Sequence, residues 1–440
     1  MRLKITCFCL TLISTTACFE NNAYIEILKD PAIYNAAMKQ LTDVIVYDIF
    51  SPPVASRVYT YPNIAAYEII SQAYPEDFIS LSGQLTDLKT IPKNEDPMVN
   101  MHLAALHAFF TVGTELIFSE EKMHEFQNQT YQSLKADGLP RRVLKSSMNY
   151  GDRVASHILK WADSDGYKET RTDFKYSIRS QPQYWKPTPP DYMEGIEPHW
   201  NKIRTMVLDS AQQYIPKPPL LFSMDENSLF FNELMEVYTI GGQVENQGED
   251  IAKFWDCNPY VSHHRGHAMF ATKKITPGGH WMEISSIATS QAGFTYAETV
   301  HAHTRVAISL FDAFISCWDE KWRSVVVRPE TLINQYIDGD WVPLLQTPPF
   351  PEYTSGHSVI SRAAALTLTE LLGNEFSFED TSEMKYGLPA RSFDSFLQAS
   401  EEAALSRLYG GIHYRMAIDN GLDQGDAIGN YINNTLKTRK

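Results

Sequence analysis

Apolar residues recur at three- and four-residue steps along most of this chain, the spacing that gathers them on one face of an α-helix. The pattern is clear over 44–50, 55–73, 98–118 and 143–161, and alternating strand patterns are scarce. From 25 to about 163 the reading is therefore helical. Pro62 falls inside the second run, where it would break or restart a helix, because it lacks an N–H and crowds the preceding turn. Ser119-Glu120-Glu121 marks a helix start, and Asp137-Gly138-Leu139-Pro140 marks a stop followed by a restart.

The periodicity lapses over 166–217, a stretch rich in Pro, Tyr, Trp and Arg. A long irregular segment in a compact protein usually carries function or wraps a neighbour, so this one reads as one side of a cleft or as a clasp. It also ends a helical region spanning 23–220 and precedes a second one spanning 221–440. Periodicity returns over 228–241 and 248–255. A His-rich loop follows, Ser262-His263-His264-Arg265-Gly266-His267, and then Pro277-Gly278-Gly279-His280-Trp281. One long helix is predicted over 291–318 and an alanine-rich one over 359–372. Another covers 392–409 and stops at Gly410-Gly411, and the last runs from near His413 to about 436. The fold class is all-α, with a helical bundle carrying its site between facing helices.

Composition adds bounds rather than detail. A chain of 440 residues is long enough for two or three core-sized units. Its net charge of −15 argues against non-specific binding of nucleic acid or of an anionic membrane. It also makes any local basic cluster notable. At the N-terminus, Arg2 and Lys4 precede a short apolar run, 5–13, and the small residues 14–17. This predicts a secretory signal over 1–18, too short to stay as a membrane span. Thr15-Thr16-Ala17-Cys18 is similar to a bacterial lipobox, with Thr15 where Leu is usual. Lipidation of Cys18 would make the chain an exported lipoprotein, periplasmic or on the surface of a bacterium, tied to the membrane only by that anchor. An ordinary signal peptide is the alternative. Cys257 and Cys317 then remain, enough for one disulfide but read as buried small hydrophobes.

Candidate chemistry is concentrated in the last third, in three segments. Lys321 and Arg328, with six residues between them, lead into Pro329. Pro348-Pro349-Phe350-Pro351-Glu352-Tyr353-Thr354 makes a stiff entry to Ser355-Gly356-His357, where a helix begins. Ser406-Arg407 precede Gly410-Gly411-Ile412-His413. Singly, each has a bland reading: Lys321 and Arg328 as surface charges, Ser355 as an N-cap, Arg407 as a helix-end charge, His413 as a core histidine. Jointly they offer two guanidinium forks, an ammonium, a hydroxyl, an approachable glycine amide, two imidazoles and two helix N-termini. A tetrahedral or trigonal-bipyramidal oxyanion such as phosphate or vanadate requires that donor set.

Lys-x6-Arg-Pro, Ser-Gly-His and Ser-Arg-x5-His, in that order, resemble the three-part signature shared by vanadium-dependent haloperoxidases and the type 2 phosphatidic acid phosphatase superfamily. The signature covers about a hundred residues here, within a core of 318–420. The surrounding sequence is similar to secreted bacterial haloperoxidases. The resemblance implies the chloroperoxidase and acid phosphatase fold, with vanadate as cofactor and hydrogen peroxide and halide as substrates. Vanadate would bond one ring nitrogen of His413. Lys321, Arg328 and Arg407 would neutralise its oxygens, with Ser355 and the Gly356 amide completing the cradle. His357 would manage the proton, Lys321 would polarise peroxide, and Trp318 and Phe350 would line the halide side.

One position departs from the pattern. The superfamily usually carries an Asp four residues after the last His, and Ala417 stands there, with Asp419 the nearest carboxylate. This weighs against the second reading, a phosphatase that cleaves a phosphate ester through a phospho-histidine at His413. A third reading is a binding module that merely holds phosphate. A fourth is a zinc site from His263, His264, His267 and His280, or from His301 and His303. The first set fits no strong zinc spacing, and the second lies two apart in a predicted helix, where side chains diverge. Oligomer formation and halide preference are open at this stage.

Overall fold

The computed structural model describes residues 22–242, 247–265 and 267–440. Cys18 and the lipobox reading lie outside them. The first third is helical: α1 (Ala23–Lys29), α2 (Pro31–Tyr47), α3 (Pro52–Ala73), α4 (Met101–Glu115), α5 (Glu120–Ala136), α6 (Arg141–Ala162) and the single-turn α7 (Tyr167–Thr170). After the irregular stretch come α8 (Leu229–Gly242), α9 (Gln247–Phe254), the strands β1 (Val261–Arg265) and β2 (Ala268–Thr272), α10 (Pro277–Gln291), α11 (Tyr296–Ser324) and α12 (Pro329–Tyr336). The last part holds α13 (Gly356–Leu372), β3 (Phe378–Asp380), β4 (Arg391–Phe393), α14 (Phe396–Tyr409) and α15 (Arg415–Thr435). The all-α reading holds, with only two two-stranded antiparallel ribbons among the described residues. None of the described helices is long and apolar enough to cross a membrane.

Helix α11 is the axis of the molecule. It is buried along almost its whole length, from Tyr296 to Lys321, and packs on α3, α13 and α10. One core therefore draws side chains from both halves of the chain. The helix predicted over 291–318 is α11, which starts later, at Tyr296, and runs on to Ser324, while Gln291 ends α10. Gly293, at φ +67°, breaks the chain, and Thr295 restarts it with a capping box. Glu298 N–H donates to the Thr295 hydroxyl while the Glu298 carboxylate accepts the Thr295 N–H at 3.0 Å. Pro62, expected to break α3, does not. The helix is buried from Pro52 to Ser71 between α4, α6 and α11, and that packing outweighs one missing hydrogen bond.

Two further expectations change. The His-rich loop is the β1–β2 hairpin, paired from Val261↔Thr272 to Arg265↔Ala268. The Pro277–Trp281 segment opens α10 behind Thr276, whose hydroxyl accepts the Gly279 N–H at 3.1 Å. The helix predicted from 392 starts at Phe396 behind the Ser395 cap.

The irregular stretch clasps α11. Asp312 is buried and accepts three consecutive backbone N–H groups, from Met206 (2.6 Å), Val207 (2.7 Å) and Leu208 (2.9 Å). Ile196 N–H donates to Pro349 O at 2.9 Å, and Trp318 Nε1 donates to Ile196 O at 3.2 Å. The former bond fastens the stretch to the loop that precedes α13, and the latter to α11.

Candidate active site

Three local features set out the site. α11 ends in the turn carrying Lys321, and the chain then runs through Arg328 into α12. The proline-rich loop delivers Ser355 to the start of α13. The turn between α14 and α15 carries Ile412 and His413. The loop and the turn are tied together, because Ser355 N–H donates to Ala417 O at 2.9 Å. α13 and α15 approach closely at three glycines. A Cβ at Gly421, Gly425 or Gly429 would come within 2.8, 2.5 or 2.9 Å of α13 atoms.

The result is a cavity of about 150 Å³ whose wall includes Gly356, His357, Arg407 and His413 on one side and Trp318, Phe350 and Phe314 on another. The Trp318 and Phe350 rings lie 5.0 Å apart. The irregular stretch contributes Met193 and Ile196 to the same cavity, so it is both cleft wall and clasp.

His413 is the best-defined member. Its Nδ1 lies 2.7 Å from Glu352 Oε1, and the same oxygen accepts the Tyr414 N–H at 3.0 Å. An oxygen that accepts one N–H beside this ring also accepts the other, so the proton sits on Nδ1 and the lone pair on Nε2. Arg328 Nη1 donates toward that Nε2 at 3.2 Å. Burial, then the nearby Arg328, Lys321 and Arg407 charges, hold His413 well below the usual histidine range. The ring is neutral and its Nε2 is a nucleophile or ligand.

Arg328 is fully buried. It donates through Nε to Phe350 O (2.9 Å) and through Nη1 to Ile412 O (2.8 Å), while Nη2 is buried without a partner. Burial lowers its pKa to about 10, with Glu352 opposing. Arg407 is anchored by Nε to Ser406 Oγ (2.9 Å) and by Nη2 to Trp255 O. His357 faces the cavity with a buried, unpartnered Nε2, and burial followed by the Arg407 charge keeps it well below the usual histidine range.

Lys321 and Ser355 sit differently from expectation. The Lys321 ammonium donates to Pro351 O and Glu352 O, both at 3.0 Å, and to Thr354 O, which engages all three of its protons. Burial lowers its pKa to about 8. It braces the loop and supplies charge from behind the cavity wall. A Cβ on Gly356 would meet the Trp318 ring at 3.6 Å and Lys321 Cε at 3.9 Å, ordinary contact distances. Ser355 is the N-cap of α13, accepting the Ser358 N–H at 3.3 Å, and its hydroxyl proton remains for another acceptor.

Glu352 was not among the sequence candidates. It occupies the role left open by Ala417, and Asp419 does not: that residue is exposed, beside Arg415. Burial lifts the Glu352 carboxyl to about 8, against the pull of Arg328 and Lys321. Of the other zinc candidates, the side chain of His264 lies outside the described residues. His301 bonds Thr438 (2.8 Å) and His303 bonds Asn35 (2.9 Å), so they share no ligand, and His263 pairs with Thr272 on the exposed hairpin. Cys257 and Cys317 are buried and unpaired as disulfides, but neither is purely apolar: Cys257 meets His280 and Cys317 meets Thr354.

Unpartnered buried nitrogens on Arg328 and His357, a His413 Nε2 met at 3.2 Å by Arg328 Nη1, and the Gly356 backbone on the cavity wall fit a compact tetrahedral oxyanion. Vanadate and phosphate both meet that description.

A family model described as the VCPO second helical-bundle domain matches residues 301–439. Among solved structures, a bacterial vanadium-dependent iodoperoxidase is 48% identical over 93% of this chain and 97% of its own, with a TM-score of 0.88. The holo and apo forms of a bacterial vanadium-dependent chloroperoxidase are 14% identical, with TM-scores of 0.65 and 0.64. Each covers 88% of this chain, which in turn covers 93% and 94% of theirs, and they share the fold. No curated protein sequence matches.

Proposed function

Since the chain belongs to the vanadium-dependent haloperoxidases, we propose that it oxidises halide with hydrogen peroxide, yielding hypohalous acid, and that iodide is its preferred halide. The observation that carries this reading is the lone pair on His413 Nε2, fixed by Glu352 and set among three buried cations beside an aromatic cavity. Vanadate, when bound, supplies a Lewis-acidic centre that activates peroxide without changing its oxidation state.

The chain's own groups do the rest. His413 Nε2 is the ligand atom, and Glu352 holds its ring in the required tautomer. Arg328 and Arg407 neutralise oxyanion charge through donors that are already oriented, so little reorganisation accompanies reaction. Lys321 adds positive potential from behind. His357, neutral and unpartnered at Nε2, accepts a proton from incoming peroxide and returns it to the departing oxygen. Trp318, Phe350 and Phe314 present ring surface that suits a large, weakly hydrated halide and excludes water. The iodoperoxidase relationship and this aromatic lining together support iodide.

Glu352 also supplies the histidine partner whose absence at 417 counted against phosphatase chemistry, so phosphate ester hydrolysis by vanadate-free protein is the second reading. We further propose export by the segment 1–18 and anchoring at Cys18, on the lipobox-like sequence. The mass of the mature N-terminal peptide tests this, because an unmodified residue at 18 or a different cleavage site rejects it.

The decisive assay uses protein reconstituted with orthovanadate in phosphate-free buffer, given peroxide and iodide, bromide or chloride. Vanadate-dependent oxidation, greatest with iodide and suppressed by phosphate, is expected. Ester hydrolysis without halide oxidation would replace the proposal by the second reading.

A further inference from the structure

Behind one wall of the cavity lies a second buried cluster that the anion chemistry does not use. Cys257 follows α9, His280 sits in the first turn of α10, and Asp380 and Glu383 belong to the end of β3 and the turn after it. All four are buried, at 1%, 0%, 0% and 1% exposure. His280 Nδ1 lies 3.3 Å from Cys257 Sγ and 3.7 Å from Glu383 Oε1, and the three ligand-type atoms fall within 4.8 Å of one another. Glu383 Oε1 has no hydrogen-bond partner. On the far side of the ring, His280 Nε2 bonds Asp380 Oδ2 at 2.7 Å, and Asp380 Oδ1 accepts the Ser382 N–H at 3.0 Å. The Trp255 ring stacks on the imidazole at 4.5 Å.

We propose that Cys257 Sγ, His280 Nδ1 and Glu383 Oε1 form a binding site for a zinc-class divalent cation, with Asp380 orienting the histidine. The argument is geometric. Zinc bonds thiolate at about 2.3 Å and imidazole or carboxylate at about 2.0–2.2 Å. At a tetrahedral angle those lengths place S and N about 3.6 Å apart and N and O about 3.4 Å apart. The separations here, 3.3 and 3.7 Å, differ from these by a few tenths of an ångström. The thiolate and imidazole also select a borderline-soft ion over magnesium or calcium. A buried carboxylate oxygen without a donor is a ligand position that a cation would fill. The carboxylate on the second ring nitrogen fixes the tautomer that leaves Nδ1 free to ligate. Three protein ligands leave the fourth position for water.

Binding forms one bond to each of the three atoms and releases the Cys257 thiol proton to solvent. No electron transfer is involved. The ion would fasten together the segment after α9, the start of α10 and the β3 turn. Cys257 itself lines the active cavity, so the cation stiffens that wall. The site does not depend on the reading of the anion cradle.

The test uses the full chain in a thiol-protecting, non-chelating reductant, loaded with Zn²⁺ alone, desalted and analysed for metal. One zinc per chain and a raised Tm are expected. Cys257→Ser and Glu383→Gln should bind at least about tenfold more weakly, while His263→Asn, on the exposed hairpin, should bind normally. Equal retention by wild type and both variants would mean adventitious zinc, and no retention by wild type would mean no site; either overturns the proposal. Should a variant fail to fold, Co²⁺ loading of the wild type decides, since a thiolate-to-cobalt charge-transfer band must appear and its absence rejects the assignment.

Discussion

Glu352 Oε1 lies 2.7 Å from His413 Nδ1, although 61 residues separate the two in sequence. The carboxylate that the signature places one helical turn after the histidine comes here from the loop before α13. A partner in this position holds the tautomer that exposes Nε2. Glu352→Ala removes it and leaves the Tyr414 N–H unpaired. Vanadate retention measured by equilibrium dialysis should fall by about 10–100-fold, the usual cost of losing a partner behind a ligand. Glu352→Gln, whose amide oxygen can still accept from Nδ1, should retain more than Glu352→Ala. Equal retention by wild type and both variants would show that another group orients His413.

A pH dependence follows from Lys321, whose pKa is lowered to about 8, burial being the main cause. Its charge attracts an oxyanion below that value and is lost above it. Affinity for phosphate or vanadate should fall as pH rises beyond about 8, approaching tenfold per pH unit for one coupled proton. The effect on unfolding has the opposite sign. Between about 8 and the ordinary lysine value the unfolded chain binds more protons than the folded one, so Lys321's contribution to stability rises with pH there. Lys321→Met should flatten the binding profile, measured by calorimetric titration across pH 7–10. Parallel profiles for the two proteins would exclude Lys321 as the titrating group.

The helices were legible because their signals are local: apolar periodicity, Ser and Thr caps, and the Gly138 and Gly410-Gly411 stops. The break before α11 was written in the sequence as well, as Gly293 and the Thr295-x-x-Glu298 box, but the apolar run across it masked both. That Gly356, His357, Arg407 and His413 belong together was legible because their types and order form a signature, and the fold brings them to one cavity. What Lys321 does was not, since three backbone carbonyls compete for its protons only once the 351–354 loop folds over it. Nor was the role of Glu352, a lone acid in a proline-rich loop whose partner lies across the fold. Of the cluster around His280 only that histidine stood among the zinc candidates, because its companions lie far off in sequence, at 257, 380 and 383.

Phe350 sits between the site's charges and its aromatic wall. Its ring centroid is 5.1 Å from Lys321 Nζ, 5.0 Å from the Arg328 guanidinium carbon and 5.0 Å from the Trp318 ring. Phe350→Leu keeps most of the buried volume and removes the π face. Stability should change by less than about 1.5 kcal/mol, while kcat/KM for iodide should fall by about tenfold. Steady-state assays with peroxide saturating and iodide varied separate the two effects. An unchanged kcat/KM would remove Phe350 from the halide site.

The spacing of α13 and α15 can be tested at Gly425, where a Cβ would stand 2.5 Å from Val359 O and 2.7 Å from Arg362 Cβ. Neither is the far end of a flexible side chain, so the helices themselves must move apart. Helix propensity alone favours Ala over Gly by about 1 kcal/mol. Overpacking at a tight contact costs about 1–3 kcal/mol, and that term should win. Gly425→Ala is expected to lower the urea midpoint. It should also lower activity by more than the unfolded fraction explains, because α13 carries Gly356 and His357, and a misplacement of about 1 Å can cost about a hundredfold in rate. The two readouts distinguish the causes. Lost stability with full activity in the folded fraction would mean that the loop bonds, such as Ser355 N–H to Ala417 O, hold the site in place whatever the helices do. Greater stability with full activity would mean that close packing of α13 on α15 does not position the site.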